Sequence, residues 1–127
     1  MKKIINTKKS PLPIGPYQQG ILIENTLFIS GQIAINENNQ IISDDIGIQT
    51  RKILENIKNI VQTSNLKIND IVKINIFTTC LDKINIINSI YEKFFISNQS
   101  IFPARTCIEV RKLPKNAKIE IDVIAIK

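Results

Sequence analysis

Short runs of alternating apolar residues and two longer amphipathic segments follow one another along this chain, and their order constrains its fold. The clearest run covers residues 119–126, where Ile119, Ile121 and Val123 alternate with more polar positions. A side-chain period of two predicts a β-strand with one buried face. Four further runs predict strands on the same grounds: residues 20–24, 27–33, 71–79 and 105–110.

Two segments with helical periodicity separate these strands. Apolar side chains recur at spacings of three and four over residues 46–64, directly after Asp44 and Asp45, whose carboxylates can cap a helix start. A second helix is predicted over residues 83–95. The order β-β-α-β-α-β-β predicts an α+β sandwich, with one sheet and two helices on one face, in a single domain of residues 1–127.

The complete absence of histidine restricts the chemistry that this chain can perform. It excludes Ser–His–Asp and Cys–His nucleophile systems and zinc sites that rely on histidine ligands. The two cysteines, Cys80 and Cys107, form no CxxC motif and no disulfide framework. Catalysis must therefore use carboxylates, Arg, Lys, Tyr, Ser, Cys, backbone groups or water.

The net charge of +6 raises the question of a nucleic-acid partner. The lysines are scattered, however, and no basic run is longer than the pairs Lys2-Lys3 and Lys8-Lys9. The abundance of Ile, Asn and Lys, all encoded by A- and T-rich codons, indicates a genome bias that accounts for part of the charge. Binding to nucleic acid is therefore not expected.

The chain offers no segment that predicts export or membrane insertion. Residues 1–9 are polar and basic, with no apolar stretch behind them, so they do not resemble a secretory signal. No apolar run approaches the roughly 20 residues that a membrane-spanning helix needs. The expected location is the cytoplasm, without a membrane partner.

Polar side chains lie along one face of each of the last two predicted strands. A period of two puts Arg105 and Cys107 on one face of the penultimate strand, and Glu120 and Asp122 on one face of the last. If the two strands form a hairpin centred on Leu113-Pro114, Arg105 lies opposite Asp122 and diagonally across from Glu120. Arg105 and Glu120 are then expected to reach one small ligand.

Two interpretations of this polar strip are open. It could be a solvated sheet face with weak surface ion pairs, Arg105 with Asp122 or Glu120 with a nearby lysine. It could instead bind a ligand, because Cys107 is of a residue type that prefers burial. Arg is also scarce in this chain, and its guanidinium offers a carboxylate the bidentate fork that Lys lacks.

The residues around the strip resemble the reactive intermediate deaminase (Rid, YjgF-type) family, and the resemblance spans nearly the whole chain. The family's signature is matched by Pro103–Val110, Leu113–Lys115 and Ile119–Ile121. Its other motifs are matched by Pro13–Tyr17 with Gln19, Phe28–Gln32, Asp70–Lys73, and Asn88 with Tyr91, Phe94 and Phe95. Gln18 and Gly20 depart from the Ser and Ala that are usual in the family.

This resemblance implies a fold, an assembly and an activity. The fold would be a chorismate-mutase-like α+β sandwich with a mostly antiparallel sheet, assembled as a homotrimer with ligand sites between subunits. The activity would be hydrolysis of enamines and imines such as 2-aminoacrylate, 2-iminopropanoate and 2-iminobutanoate, giving 2-keto acids and ammonia. No metal and no organic cofactor would be needed.

The resemblance also implies roles for individual residues. Arg105 would pair bidentately with the substrate carboxylate, and Glu120 would activate the attacking water and handle the proton on nitrogen. Five further residues would contact the substrate: Tyr17, Ser30, Gly31, Asn88 and Cys107. Cys107 would line the pocket as a thiol, since no histidine is available to activate it.

Two other classes of function remain as alternatives. The first is a binding module, a trimer that holds small carboxylates or acts as a chaperone or an RNA-directed translation inhibitor. The second is a purely structural trimer. RNA binding at physiological salt would support the first. The second predicts that keto acids leave the melting temperature unchanged, whereas a specific ligand raises it.

Overall fold

The computed structural model describes residues 1–127, the whole chain. The six strands and two helices are β1 (Lys2–Ile5), β2 (Gly20–Ile23), β3 (Thr26–Gln32), α1 (Ile46–Thr63), β4 (Ile71–Thr78), α2 (Ile84–Ser97), β5 (Ala104–Glu109) and β6 (Ile119–Ile126). Short 3₁₀ helices cover Ile68–Asp70, Leu81–Lys83 and Pro114–Asn116.

The strands form one six-stranded sheet in the order β1-β2-β3-β6-β4-β5. Every neighbouring pair is antiparallel except β4 and β5, which run parallel. Both helices pack on the same face, where they share one apolar core with the sheet. The predicted α+β class, the two helices on one face and the mostly antiparallel sheet are confirmed.

The predicted hairpin between the last two strands is wrong, because β4 lies between β5 and β6. The connection over residues 110–118 contains a 3₁₀ turn and is too long for a tight hairpin. The order β4-α2-β5 is instead a crossover unit, whose helix carries the chain back to the start of a parallel neighbour. The last strand then fills the gap between β3 and β4.

The element boundaries agree closely with the sequence pattern, with one addition. Asp45 is the N-cap of α1, and its side chain accepts a hydrogen bond of 2.9 Å from the backbone N–H of Ile48. β1 was not predicted, because only Ile5 of its four residues is buried and the alternation is too short to read. It pairs with β2 at one edge of the sheet, where Lys2 and Lys3 are exposed.

The main core lies between the sheet and the two helices. It contains 23 buried residues, and isoleucines supply most of its largest side chains, including Ile53 and Ile57 of α1 and Ile74 and Ile76 of β4. Each isoleucine that is fully buried on folding stabilises the protein by about 1.5–3 kcal/mol. The sheet therefore presents one continuous apolar face to the helices.

The opposite face of the sheet, called the open face below, carries no helix. Its exposed apolar side chains include Phe28, Ile108 and Ile126, with 44%, 44% and 45% of their surface accessible. Ile124, which pairs with Phe28 across the β3–β6 ladder, is only partly buried on this face. No helix of the structure is long and apolar enough to cross a membrane.

Candidate functional site

Arg105 and Glu120 lie on opposite faces of the sheet. Arg105 is in register with Ile74, a core residue beneath the helices, so its side chain is on the helix-covered face. Glu120 is in register with Phe77, whose neighbours Ile76 and Thr78 point into the helix-side interior, so Glu120 is on the open face. The predicted polar strip on a single face is therefore wrong.

The separation between these two residues follows from the register. Arg105 of β5 and Val123 of β6 are both in register with Ile74 of β4, the strand between them. Glu120 comes three residues before Val123, so Arg105 and Glu120 lie two strands and three residues apart. Strand spacings put their Cα atoms roughly 14 Å apart. One small ligand cannot contact both side chains within a single chain.

Arg105 is held by the second helix at the edge of the sheet. Its Nη1 donates a hydrogen bond of 2.8 Å to Oδ1 of Asn88, and its Cζ lies 4.9 Å from the ring centroid of Tyr91. No carboxylate forms an ion pair with it, since Asp122 instead accepts a hydrogen bond of 2.8 Å from Nδ2 of Asn75. The expected alternative of an Arg105–Asp122 pair is wrong, and the guanidinium is free to bind an anion.

Two weakly acidic side chains lie near this guanidinium. Burial raises the pKa of the Cys107 thiol, and the positive charge of Arg105 opposes that shift. Burial likewise raises the pKa of Tyr91 to about 12, again opposed by Arg105. Both groups are therefore neutral near pH 7, and Cys107 is a protonated thiol rather than a nucleophilic thiolate.

Glu120 packs against Gly31 of the neighbouring strand β3. A Cβ atom at position 31 would lie 2.6 Å from Oε2 and 2.8 Å from Cδ of Glu120, so only glycine admits the carboxyl group here. Burial raises the pKa of Glu120, and the nearby Asp122 charge raises it further. The alternative in which Glu120 pairs with a lysine is wrong, because Lys118 lies 3.4 Å from Asp44 and Glu120 forms no ion pair.

The N-terminal loop is tied to β3 next to Gly31. The Ser30 hydroxyl donates a hydrogen bond of 2.6 Å to the Gln18 carbonyl, and the Ser30 N–H donates one of 2.9 Å to the Gln19 carbonyl. Tyr17 immediately precedes this anchor and is 44% exposed. The Ser30 hydroxyl proton is thus committed to the backbone, and its oxygen can only accept a hydrogen bond from a ligand.

The seven predicted site residues, together with Tyr91, therefore form two groups. The arginine half-site comprises Asn88, Tyr91, Arg105 and Cys107, and the glutamate half-site comprises Tyr17, Ser30, Gly31 and Glu120. Tyr91 belongs to a motif that the sequence matches but is not among the predicted site residues, although its spacing of three from Asn88 puts both on one face of α2. No group of three His, Cys, Asp or Glu side chains is arranged to hold a metal ion.

The contact between Gly31 and Glu120 yields a sharp prediction. In a Gly31→Ala variant the new methyl group must displace the Glu120 carboxyl, which is the end of a flexible side chain. We expect the fold to persist, with a melting temperature close to that of the wild type. We expect any activity that uses this carboxyl to fall by about 10²-fold, as a misplacement near 1 Å commonly does. An unchanged kcat would show that the position of Glu120 does not matter.

The fold and its two half-sites define a small α+β protein whose sheet is covered by helices on one face only, with an arginine on the covered face and a carboxyl group on the open one. A family model described as "Endoribonuclease L-PSP" matches residues 7–127. The chain belongs to this family, which confirms the resemblance to YjgF-type proteins drawn from its motifs.

Individual relatives match along essentially their full length. A RutC family protein of Buchnera aphidicola is 56% identical over 127 residues, covering 100% of this chain and 99% of the relative. The 2-iminobutanoate/2-iminopropanoate deaminase of Escherichia coli is 42% identical with the same coverage. A crystal structure of Escherichia coli TdcF with bound serine superposes with a TM-score of 0.94 at 41% identity, covering 98% of each chain.

Proposed function

We propose that this protein hydrolyses reactive 2-imino and 2-enamino acids, such as 2-aminoacrylate, 2-iminopropanoate and 2-iminobutanoate, to 2-keto acids and ammonia. The free guanidinium of Arg105, held by Asn88 and Tyr91 with no internal carboxylate partner, is the observation that carries the proposal. The 42% identity to a deaminase of such imines supports it. So does the serine bound to TdcF, which is also a small carboxylate.

The roles of the side chains follow from the reaction. Arg105 binds the substrate carboxylate in a bidentate pair, and Asn88 fixes the guanidinium. An enamine first takes a proton on carbon to become an iminium ion, which loses a proton from nitrogen to give the imine. Glu120 then takes a proton from a water whose oxygen adds to the imine carbon, and the nitrogen is protonated to give a carbinolamine. A second proton on nitrogen lets the C–N bond break, and ammonia leaves as the hydroxyl group loses its proton and becomes the keto oxygen. The reaction needs no electron transfer, and we propose that no metal or organic cofactor takes part.

The remaining residues would shape the cleft around the substrate. Tyr17 closes one side, Ser30 and the backbone at Gly31 bound the side that holds Glu120, and Cys107 lines the pocket as a neutral thiol. Both cysteines are free thiols, which fits the reducing cytoplasm that we propose as the location.

We further propose that the active form is a homotrimer of this single domain, with each site shared between two subunits. The half-sites lie on opposite faces of one sheet, so a common ligand requires the arginine half-site of one chain and the glutamate half-site of another. The open face supports this assembly, because antiparallel sheets with exposed aromatic and aliphatic residues on an uncovered face are commonly buried by a partner.

A mixing experiment tests the shared site. Arg105→Ala and Glu120→Gln subunits are each expected to form inactive homo-oligomers. In a mixed ring, an interface that joins an intact arginine half-site to an intact glutamate half-site is complete. Random mixing of equal amounts restores about one quarter of the interfaces, whatever the number of subunits in the ring. Activity after co-refolding the two variants measures this fraction.

The matched control mixes two lesions in the same half-site. Arg105→Ala and Asn88→Ala both damage the arginine half-site, so no interface built from one of each gains a complete pair. We expect the first mixture to regain activity. We expect the second mixture to show no more than the average of the activities of its two variants. Absence of recovery in the first mixture, with subunit exchange verified by native mass spectrometry, would contradict a site shared between chains.

The activity itself is tested by ammonia release and by loss of semicarbazide-trappable imine, with iminopropanoate and iminobutanoate generated in situ. A rate equal to that of uncatalysed hydrolysis would refute the proposed function. An RNA gel shift at physiological salt, measured on the same preparation, separates the translation-inhibitor alternative, because phosphate-driven affinity is its first requirement.

A further inference from the structure

We infer that Tyr91 is a positioning residue, whose ring face holds the Arg105 guanidinium in the orientation that receives the substrate carboxylate. The inference rests on the proposed function, since it assigns a role within the same site. It starts from one contact: Arg105 Cζ lies 4.9 Å from the centroid of the Tyr91 ring, well within the range of a cation–π interaction.

The guanidinium is restrained from two directions. Tyr91 contacts it through the ring face, while Asn88, on the preceding turn of α2, accepts a hydrogen bond of 2.8 Å from Nη1. A guanidinium has five N–H donors in a fixed plane, so most of them remain available for a ligand. Together these contacts orient a side chain that is otherwise exposed and would adopt several rotamers.

The ring of Tyr91 is itself held rigidly. Tyr91 is 6% exposed, and its ring centroid lies 4.7 Å from that of Phe95 and 6.4 Å from that of Phe102, which is stacked on it. Phe102 in turn belongs to the segment that leads into Pro103 and β5. The aromatic cluster therefore joins α2 to the start of the strand that carries Arg105, so the ring cannot move away without disturbing both.

The ring face, not the hydroxyl group, carries this role. The Tyr91 hydroxyl is buried and has no hydrogen-bond partner within the chain. Because its pKa is raised to about 12, the group is neutral under ordinary conditions and does not compete with a substrate carboxylate for the guanidinium. Phenylalanine at this position should therefore preserve substrate binding.

The test compares KM with kcat in variants of the full-length protein. Tyr91→Leu is expected to raise KM for iminopropanoate by roughly three- to thirtyfold, the range that loss of a cation–π contact represents. Its kcat is expected to stay within about threefold of the wild type, because Arg105 is still present and pairs with the carboxylate once the substrate is bound. Tyr91→Phe is expected to keep the KM of the wild type.

The matched control is Phe94→Leu, which makes the same aromatic-to-leucine change one turn on from Tyr91, at a ring that packs against Phe95 and makes no cation–π contact with Arg105. It is expected to lower the melting temperature and leave KM unchanged. In an Arg105→Ala background, Tyr91→Leu is expected to have no further effect on KM, since the contact is already lost.

A second variant covers the case in which Tyr91→Leu does not fold. Pentafluorophenylalanine at position 91 keeps the shape of a phenyl ring but removes the negative charge of its face, so KM should rise as it does in Tyr91→Leu. An unchanged KM in either of these two variants, provided that the variant folds, would overturn the inference, and so would an equal rise in Tyr91→Phe. Calorimetric binding of 2-ketobutyrate gives the same comparison without turnover, which keeps a failure of this inference distinct from a failure of the deaminase proposal.

Discussion

Replacing Arg105 with alanine is expected to lower kcat/KM for 2-imino acids by about 10²–10³-fold, because the bidentate pair both binds the carboxylate and orients the imine for attack. The guanidinium is exposed and makes one hydrogen bond and one ring contact within the chain. Its loss should therefore change the melting temperature little. Steady-state kinetics with ammonia detection, together with a thermal melt, measures both effects.

Two further arginine variants sharpen this result. Arg105→Lys keeps the positive charge but loses the fork, so its kcat/KM is expected to fall between that of the wild type and that of the alanine variant. Arg111→Ala removes an exposed arginine from the loop that follows β5 and should change nothing. If Arg105→Ala turned over as fast as the wild type, Arg105 would have no role as the carboxylate anchor.

The sequence predicts the elements of this fold well because each leaves a local signal. The alternation over residues 119–126 marks β6 with the same bounds that the structure has, and Asp45 marks the start of α1. These signals depend on neighbouring residues alone. A buried face, a cap and a helical period are all visible in a single segment.

The order of the strands is not a local property, and here the sequence pattern misleads. In β5, Cys107 and Ile108 are both apolar, so alternation does not decide which of the two faces the core. The structure puts Cys107 toward the helices and leaves Ile108 on the open face. The strand–helix–strand order of β4, α2 and β5 is typical of a parallel pair. The structure has this pairing and not the hairpin of β5 and β6 that the two alternating runs suggest.

The candidate site is even less local than the fold. Motif resemblance identified Arg105 and Glu120, but only the register places them on opposite faces of the sheet. The exposed apolar side chains of the open face are a second reason to propose a site that is shared between chains. The same setting imposes a cost on Glu120, whose carboxyl is partly buried beside Asp122 and carries no compensating ion pair.

Because the partly buried carboxyl of Glu120 is unfavourable for folding, Glu120→Gln is expected to change activity and stability in opposite directions. The amide cannot accept a proton from water, so kcat is expected to fall by about 10²–10⁴-fold, the usual contribution of a general base. The raised pKa of Glu120 means that the folded protein favours the protonated carboxyl, so this group supports folding at low pH and loses that support as the pH rises through its pKa. Near pH 7 the glutamine variant should therefore melt at an equal or slightly higher temperature than the wild type.

The pH dependence distinguishes a base from a merely structural carboxyl. The wild-type profile of kcat/KM is expected to fall on the acidic side, with its midpoint above the ordinary glutamate value of 4.5 because burial and Asp122 raise the pKa of Glu120. The glutamine variant should lose this acidic limb, and its gain in melting temperature should shrink as the pH falls toward 4. If the glutamine variant kept both its rate and its acidic limb, a group other than Glu120 would be the general base. If the glutamine variant lost its activity and also melted at a lower temperature than the wild type, Glu120 would be a structural residue instead.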